Sequence, residues 1–322
     1  MIDCPASERR QPAPAYAAPH GFEVSAEEHA LLRATPPAPA LEWATAAFGS
    51  RARIESTRAM LGGTSSAVHE LLVRDQSAKL HRVVLRRHVR TEWLAQEPDL
   101  AEREARTLEL LQTTALPAPR LLAIDPDGSA AGAPAVLMTR LPGEIEWNPT
   151  DVTAYLDGLV ELLVSVHAAI PCADTTTIPR YTPYALEMLR PPVWANDARV
   201  WLRAIDMHLG PAPAHSRVFI HRDFHPGNVL RHNGRVTGII DWVNASVGAR
   251  EADVGHCRLN LAQRCGMTVA DTFLRQYQER TGTTAYHPYW DVVAALGGLD
   301  ETWDANPNPI VERFLAVAVS QL

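Results

Sequence analysis

Residues 218–242 read VFIHRDFHPGNVLRHNGRVTGIIDW: a short strand, a polar loop, and a β-hairpin that ends in an acid. The apolar run Val218-Phe219-Ile220 enters the loop His221 to Asn228, and Val229-Leu230 leads to Asn233-Gly234, a two-residue signal for a type I′ turn. The return strand, Val236 to Ile240, delivers Asp241. The expected result is one carboxylate (Asp223), one amide oxygen (Asn228) and a second carboxylate (Asp241) at one sheet end. Hard oxygen donors of this kind suit Mg²⁺ beside a phosphate, with one carboxylate left to orient a hydroxyl.

Three chemistries compete for this stretch. In phosphoryl transfer, Asp223 accepts the substrate hydroxyl's hydrogen bond while Asn228 and Asp241 hold Mg²⁺ against a nucleotide. In a metal-dependent hydrolase, His221-x-Asp223-x-His225 supplies nitrogen and oxygen ligands to Zn or Fe. The third reading is a polar loop that caps a sheet and does no chemistry. The hydrolase reading leaves Asn228 and the hairpin to Asp241 unexplained, and the downstream His256 and His287 form no ligand pattern with it. The structural reading must explain two acids, an amide and two histidines at fixed turns, so phosphoryl transfer is the reading adopted.

Upstream, Ile54 to Arg90 reads as antiparallel strands. Between two of them Leu61-Gly62-Gly63-Thr64-Ser65-Ser66 offers backbone N–H groups and hydroxyls that could fold over phosphates, although a glycine pair between strands is more often only a turn. The strand His81 to His88 ends in cations. Pro98-Asp99 opens a helix, with Glu102 completing a capping box. On it Ala101, Glu104, Ala105, Leu108 and Leu111 share one face, so Glu104 points inward. A buried carboxylate needs a cationic partner, and Arg86 on the preceding strand is the natural one; Arg87, which alternation puts on the opposite face, is the second candidate for a phosphate contact. Two further strands, Leu121 to Ile124 and Ala135 to Thr139, precede Thr139-Arg140-Leu141-Pro142-Gly143, where strands give way to long helices and a hinge is expected.

The first 40 residues hold seven prolines and ten alanines, which predicts a disordered start; within them Ser25-Ala26-Glu27-Glu28 caps a short helix through Leu32, and a second helix is expected from Leu41 to Phe48. Beyond the hinge, helices are predicted over Asp151 to Ile170, over Tyr181 to Leu209 with a break at Pro191-Pro192, and from Glu251 to about Arg280. His167 lies on the apolar stripe of the first of these, as a satisfied core histidine would.

With 322 residues, 46% of them hydrophobic, the chain can bury the cores of two lobes. The net charge of −7 argues against nucleic acid as the main partner and suits a cationic small substrate. Five acids after Tyr286 (Asp291, Asp300, Glu301, Asp304, Glu312), with Trp290 and Trp303 among them, mark where such a cation would be met. The aromatics could equally line a pocket for a bulkier alcohol. There is one lysine, Lys79, so any cation for phosphate must be arginine. The four cysteines show no pairing pattern, no apolar run spans a bilayer and the N-terminus lacks a signal-peptide core; a cytoplasmic monomer or homodimer that binds no membrane is expected.

Taken together, HRDFHPGN resembles the H-x-D-x-x-x-x-N catalytic loop of the protein-kinase-like fold, with Asp241-Trp242 standing thirteen residues after Asn228 where the metal-binding acid would be. The form H-x-D-x-H-P-G-N followed by I-I-D-W resembles the aminoglycoside phosphotransferase family, including its macrolide-phosphotransferase relatives, over about residues 50–320. The resemblance implies a bilobal α+β fold: a nucleotide-binding lobe over 49–140, built from an antiparallel sheet plus one helix, and a mainly helical lobe over 141–322 that carries the catalytic hairpin and the substrate site. Residues 1–48 stay outside both as a tail with short helices.

The resemblance further implies ATP or GTP as co-substrate with Mg²⁺. Asp223 matches the catalytic base, and Asn228 and Asp241 match the metal ligands. Arg86 stands in the strand Val83-Val84-Leu85-Arg86 where the family's nucleotide-contacting Lys would be, and Glu104 matches its helix partner. Gly62, Gly63, Thr64 and Ser65 stand for the glycine loop, which fits the family pattern clearly only at Gly63. Met138 and Arg140 lie in the segment that meets the adenine, and Asp253 resembles the family's structural acid. The acceptor implied is a hydroxyl on a small molecule, an aminoglycoside or related antibiotic, with a macrolide, another metabolite or a catalytically idle nucleotide-binding module as alternatives.

Overall fold

The computed structural model describes residues 25–60, 65–171, 177–184, 186, 189–283, 285–297, 304 and 307–321. The predicted tail before Ser25 and the stretch Leu61 to Thr64 lie outside these residues, as do Cys4, Cys172, Asp300, Glu301 and Trp303. The chain forms two compact units, one of residues up to Pro142 with Gly238–Val243 returning to it, the other of Gly143–Thr237 with Asn244 onward.

The first unit opens with α1 (Ala26–Arg33), whose start is the capping box the sequence predicts: the Ser25 hydroxyl accepts from the Glu28 N–H, and Glu28 accepts from the Ser25 N–H. Helix α2 (Ala38–Ala46) begins three residues earlier than expected, because Pro39 is well placed in a first turn that needs no N–H donor. Strands β1 (Arg53–Ala59), β2 (Ala67–Arg74) and β3 (Leu80–Arg87) follow. Next come α3 (Thr91–Gln96), which the sequence reading lacked, α4 (Leu100–Leu111), β4 (Leu121–Asp125) and β5 (Ala135–Thr139). The strands form one antiparallel sheet in the order β1-β2-β3-β5-β4. One cluster of Leu71, Val73, Val83, Leu85 and Leu137 with Ala40 and Ala44 of α2 fills one face of it, while α4 packs on β4 and β5. The stripe predicted for α4 is buried in full. Its capping box is not formed: Asp99 caps no N–H and its carboxylate instead meets Arg103 at 3.3 Å.

The second unit contains β6 (Glu144–Ile145), α5 (Val152–Ala168) capped by Asp151, α6 (Ala198–Leu209) and β7 (Arg217–Ile220). A 3₁₀ turn at Pro226–Asn228 leads to β8 (Val229–His232), and β9 (Arg235–Ile239) carries the chain back into the first unit. The hairpin turn has φ +50° at Asn233 and +73° at Gly234, as a type I′ turn demands. Then follow β10 (Ser246–Ala249), which pairs antiparallel with β7, and helices α7 (Arg250–Cys265), α8 (Met267–Thr281), α9 (Tyr289–Leu296) and α10 (Pro309–Ser320). The single helix expected up to Arg280 is thus two, broken at Gly266, whose φ of +91° no helix accommodates.

The helix expected from Tyr181 is wrong over its first half. Arg180 bridges Val247 in parallel and the Tyr181 N–H bonds to the Val247 carbonyl at 2.9 Å, so this segment runs extended along β10. Pro179, Pro183, Pro191 and Pro192 withhold the N–H groups a helix would need. Among the described residues of this stretch only Ala198–Leu209 is helical.

Candidate active site

In the first unit, alternation along β3 turns Arg86 toward α4, where it meets Glu104. Arg86 Nη1 donates to Glu104 Oε1 and to Asp241 Oδ1, each at 2.8 Å, and Nε donates to Ser66 Oγ at 2.8 Å. The sequence-predicted pairing of Arg86 with Glu104 is therefore present, and Arg86 rather than Arg87 makes it. Burial opposes charge on the guanidinium, but Asp241 and Glu104 outweigh it and hold Arg86 firmly cationic. At Glu104, 1% exposed, burial dominates and pushes the carboxyl up against the pull of Arg86.

Asp241 follows β9 in the left-handed region at φ +67°, a conformation costly for a residue with a side chain. Trp242 anchors it from behind, fully buried, with Nε1 donating to the Ile239 carbonyl at 3.1 Å. Met138 is buried on β5 opposite Val84, and Arg140 leaves the strand with its N–H on the Arg82 carbonyl at 3.1 Å. Ser65 is half-buried beside Ser66; Gly62, Gly63 and Thr64 lie outside the described residues.

The sequence reading placed Ser66 among the loop donors for phosphate and His88 at the end of a cationic strand, and gave neither a part in the Arg86 network. Ser66 becomes the third partner of Arg86. His88, buried at the end of β3, has its pKa driven down to about 3 by burial and then by the Arg86 charge. A histidine following a strand of cations was the available signal.

In the second unit the loop after β7 is held from below by Asp253 of α7. This buried carboxylate accepts from the backbone N–H of His221 at 2.9 Å and of Arg222 at 2.7 Å. His167 of α5 lies 3.1 Å from it through Nε2 and 2.8 Å from the Tyr277 hydroxyl through Nδ1, so His167 is the satisfied core histidine its stripe suggested. Arg222 takes φ +69°, and that reversal leads the chain into Asp223.

Asn228 then folds back onto Asp223: its Nδ2 donates to the Asp223 carbonyl at 2.9 Å and to Oδ2 at 3.0 Å. With the amide nitrogen so occupied, the amide oxygen is the hard donor left for a cation. His256 of α7 approaches the other carboxylate oxygen, Nε2 to Oδ1 at 3.0 Å, and His225 Nε2 stands 3.8 Å from the same atom. Burial would raise the Asp223 pKa, but the His225, His256 and His221 rings outweigh it and hold the carboxyl well below the usual range. His225 itself is packed by Gly227, where a Cβ would lie 2.5 Å from its Cε1 and 2.9 Å from Trp147.

Asp223, His225 and His256 are grouped closely enough to hold a metal ion, which is the histidine pair the hydrolase reading lacked, though with His256 in place of His221. The tautomer of His225 opposes that use. Its Nδ1 accepts the Gly227 N–H at 3.1 Å, so in the neutral ring Nε2 carries the proton and has no lone pair for a metal.

The family model described as the phosphotransferase enzyme family matches residues 56–296. The chain belongs to the phosphotransferase enzyme family. Solved structures agree on the fold. A provisionally assigned aminoglycoside phosphotransferase from Ralstonia eutropha JMP134 matches with TM-score 0.61 at 15% identity, over 88% of this chain and 98% of that one. A thermostable mutant of aminoglycoside phosphotransferase APH(4)-Ia, in ternary complex with ADP and hygromycin B, matches with TM-score 0.60 at 17% identity, over 87% and 97%. Macrolide 2′-phosphotransferase MphH from Brachybacterium faecium matches with TM-score 0.55 at 18% identity, over 88% and 98%. A search of curated sequences gave no match. This phosphotransferase therefore has the bilobal, kinase-like α+β fold that its motif pair implied. No described helix is long and apolar enough to cross a membrane.

Proposed function

We propose that this phosphotransferase moves the γ-phosphate of ATP or GTP to a hydroxyl of a small molecule. The observation that carries this reading is the geometry at Asp223: Asn228 donates to one carboxylate oxygen and orients the group, with acceptor capacity left for a substrate hydroxyl. Asp223 orients the hydroxyl and takes up its proton as the oxygen attacks phosphorus. Asn228 and Asp241 offer oxygens of the hard type that Mg²⁺ prefers, and Asp241 keeps its second carboxylate oxygen clear of the Arg86 contact. Bound there, Mg²⁺ would neutralise charge on the phosphates. Arg86, held by Glu104, serves the phosphates as the family's lysine does, with Ser65 as a further donor; Gly62, Gly63 and Thr64, outside the described residues, are assigned to the same role by the sequence alone. Met138 and Arg140 meet the base. The nucleotide lobe is assigned to 49–140 and the lobe for catalysis and acceptor to 141–322, apart from Gly238–Val243 with Asp241, which belongs to the first unit.

Relatives of this fold act on aminoglycosides and on macrolides. Among the described residues the C-terminal acids do not form a free anionic surface. Asp291 is buried against Arg258 and accepts from the Tyr286 hydroxyl at 2.6 Å; Glu312 accepts from the Asn196 and Asp197 N–H groups; Asp304 pairs with Arg190 at 2.5 Å. Two arginine–aromatic stacks border the catalytic loop, Arg222 over Tyr184 at 4.4 Å and Arg264 over Trp147 at 4.6 Å. That disposition favours a bulky alcohol of low charge, such as a macrolide, over a polycationic aminoglycoside.

The test is a mass-spectrometric screen for an added phosphate, about 80 Da, across macrolides, aminoglycosides and metabolite alcohols with Mg²⁺ and either ATP or GTP. Phosphorylated product that Asp223→Ala lowers roughly 10²–10⁴-fold is the expected result. Product formation that this substitution leaves unchanged overturns the assignment of Asp223.

A further inference from the structure

We propose that His256 is a positioning residue for Asp223, an inference that rests on the phosphoryl-transfer reading above. Helix α7 makes the contact a matter of register. Asp253 fixes the first turn of α7 beneath the loop through two backbone N–H groups, and residues three apart share a helix face, so residue 256 is carried to the same loop one turn further on. There its Nε2 lies 3.0 Å from Asp223 Oδ1.

The two carboxylate oxygens are thereby held separately. Asn228 Nδ2 donates to Oδ2 and His256 Nε2–H donates to Oδ1, whereas His225 at 3.8 Å is too far for a direct bond. An ionised carboxylate offers about four acceptor sites, so two direct donors fix its plane and leave capacity for the acceptor hydroxyl. The same bond favours the anion over the neutral acid. The His256 side chain is 31% exposed, so packing in the core does not account for a histidine here. Its other side-chain contacts are the His225 ring, edge-on with centroids 5.7 Å apart, and the Asn260 amide nitrogen, 3.3 Å from the same Nε2 and one turn further along the helix.

The bonds exchanged are those of the proposed reaction. The acceptor oxygen bonds to the γ-phosphorus, the bond from that phosphorus to the bridging oxygen breaks with its electron pair leaving on the nucleoside diphosphate, and the hydroxyl proton passes to Asp223. His256 keeps its own proton throughout.

The experiment follows nucleotide turnover in the full chain with water as the acceptor, read as ADP or GDP release, and repeats it with any alcohol the screen returns. Parent, His256→Ala, His256→Gln and Asp223→Ala are compared, with melting temperature measured for each. Loss of one hydrogen bond to a charged group predicts that His256→Ala lowers kcat roughly 10- to 100-fold while KM for the nucleotide stays within about threefold. Gln returns an N–H of similar reach and should recover most of the loss. The inference is overturned if His256→Ala retains kcat within twofold while Asp223→Ala abolishes turnover, or if His256→Gln is as impaired as His256→Ala at an unchanged melting temperature. Turnover that survives in Asp223→Ala is the separate result that removes the underlying reading of Asp223.

Discussion

Removing the cation from the Arg86 network should cost more stability than removing the acid that the network buries most deeply. Arg86 is 6% exposed and Glu104 1%. In Arg86→Met, Glu104 loses its cation and must take up a proton to stay buried. Doing so at pH 7, from an ordinary value of 4.5, costs at most roughly 3.4 kcal/mol, being about 2.5 pH units at 1.36 kcal/mol each. Asp241, 32% exposed, can turn to water and adds little. The expected loss is therefore about 3–4 kcal/mol, within the range for breaking a buried pair. Glu104→Gln leaves the guanidinium bound to Asp241 and Ser66, so about 1–2 kcal/mol is expected there. The double variant should cost less than the two singles together by about 1–3 kcal/mol, because the charge each one strands is then gone. Urea unfolding at pH 7 followed by circular dichroism supplies the cycle. Equal costs for the two singles with additive behaviour in the double would refute the claim that Arg86 organises this half of the site.

Two other perturbations test the packing. His88 stays neutral in the native chain down to about pH 3, whereas an unfolded histidine protonates near 6.5, so the unfolded chain binds the extra proton between these values. Stability should accordingly fall as pH drops through that window, by about 2 kcal/mol between pH 7.5 and 5 from this one group. His88→Phe should flatten this limb in urea midpoints taken at the two pH values, and an unaltered limb would show that another group titrates. Gly255 tests the contact between α7 and α9: a Cβ there would lie 2.5 Å from the Trp290 carbonyl oxygen, and a backbone atom cannot swing aside. Gly255→Ala should lower stability by about 1–3 kcal/mol or more, seen as a fall in melting temperature, and a neutral result would mean the two helices are not in contact at that depth.

Local chemistry was legible in the residues because its causes are short-range. The Ser25 capping box, the Asn233-Gly234 turn and the buried stripe of α4 each depend on neighbours within a turn or two, and the fold shows all three. Glu104 could be assigned an inward cationic partner before any coordinates, since a carboxylate on an apolar stripe must be neutralised. The failures have the opposite character. Tyr181 is expected to open a helix, but its backbone partner is Val247, far along the chain, and Pro179 and Pro183 bar the local alternative. Asp99 looked like a cap by spacing, yet Arg103 offered its carboxylate a nearer charge.

The sequence by itself determined the chemistry class, because Asp223, Asn228 and Asp241 are spaced by one turn and one hairpin whose geometry the intervening residues specify. It also determined that arginine must serve wherever phosphate is held. Only the tertiary structure decided which arginine meets Glu104 and Asp241, since Arg86 and its neighbour Arg87 lie on opposite faces of β3. It alone decided that Asp291, Asp304 and Glu312 are spent on Arg258, Arg190 and the turn before α6, and that His256, thirty-three residues from Asp223, comes within a hydrogen bond of it. Such contacts are set by how helices dock against a loop, and docking depends on the whole core at once.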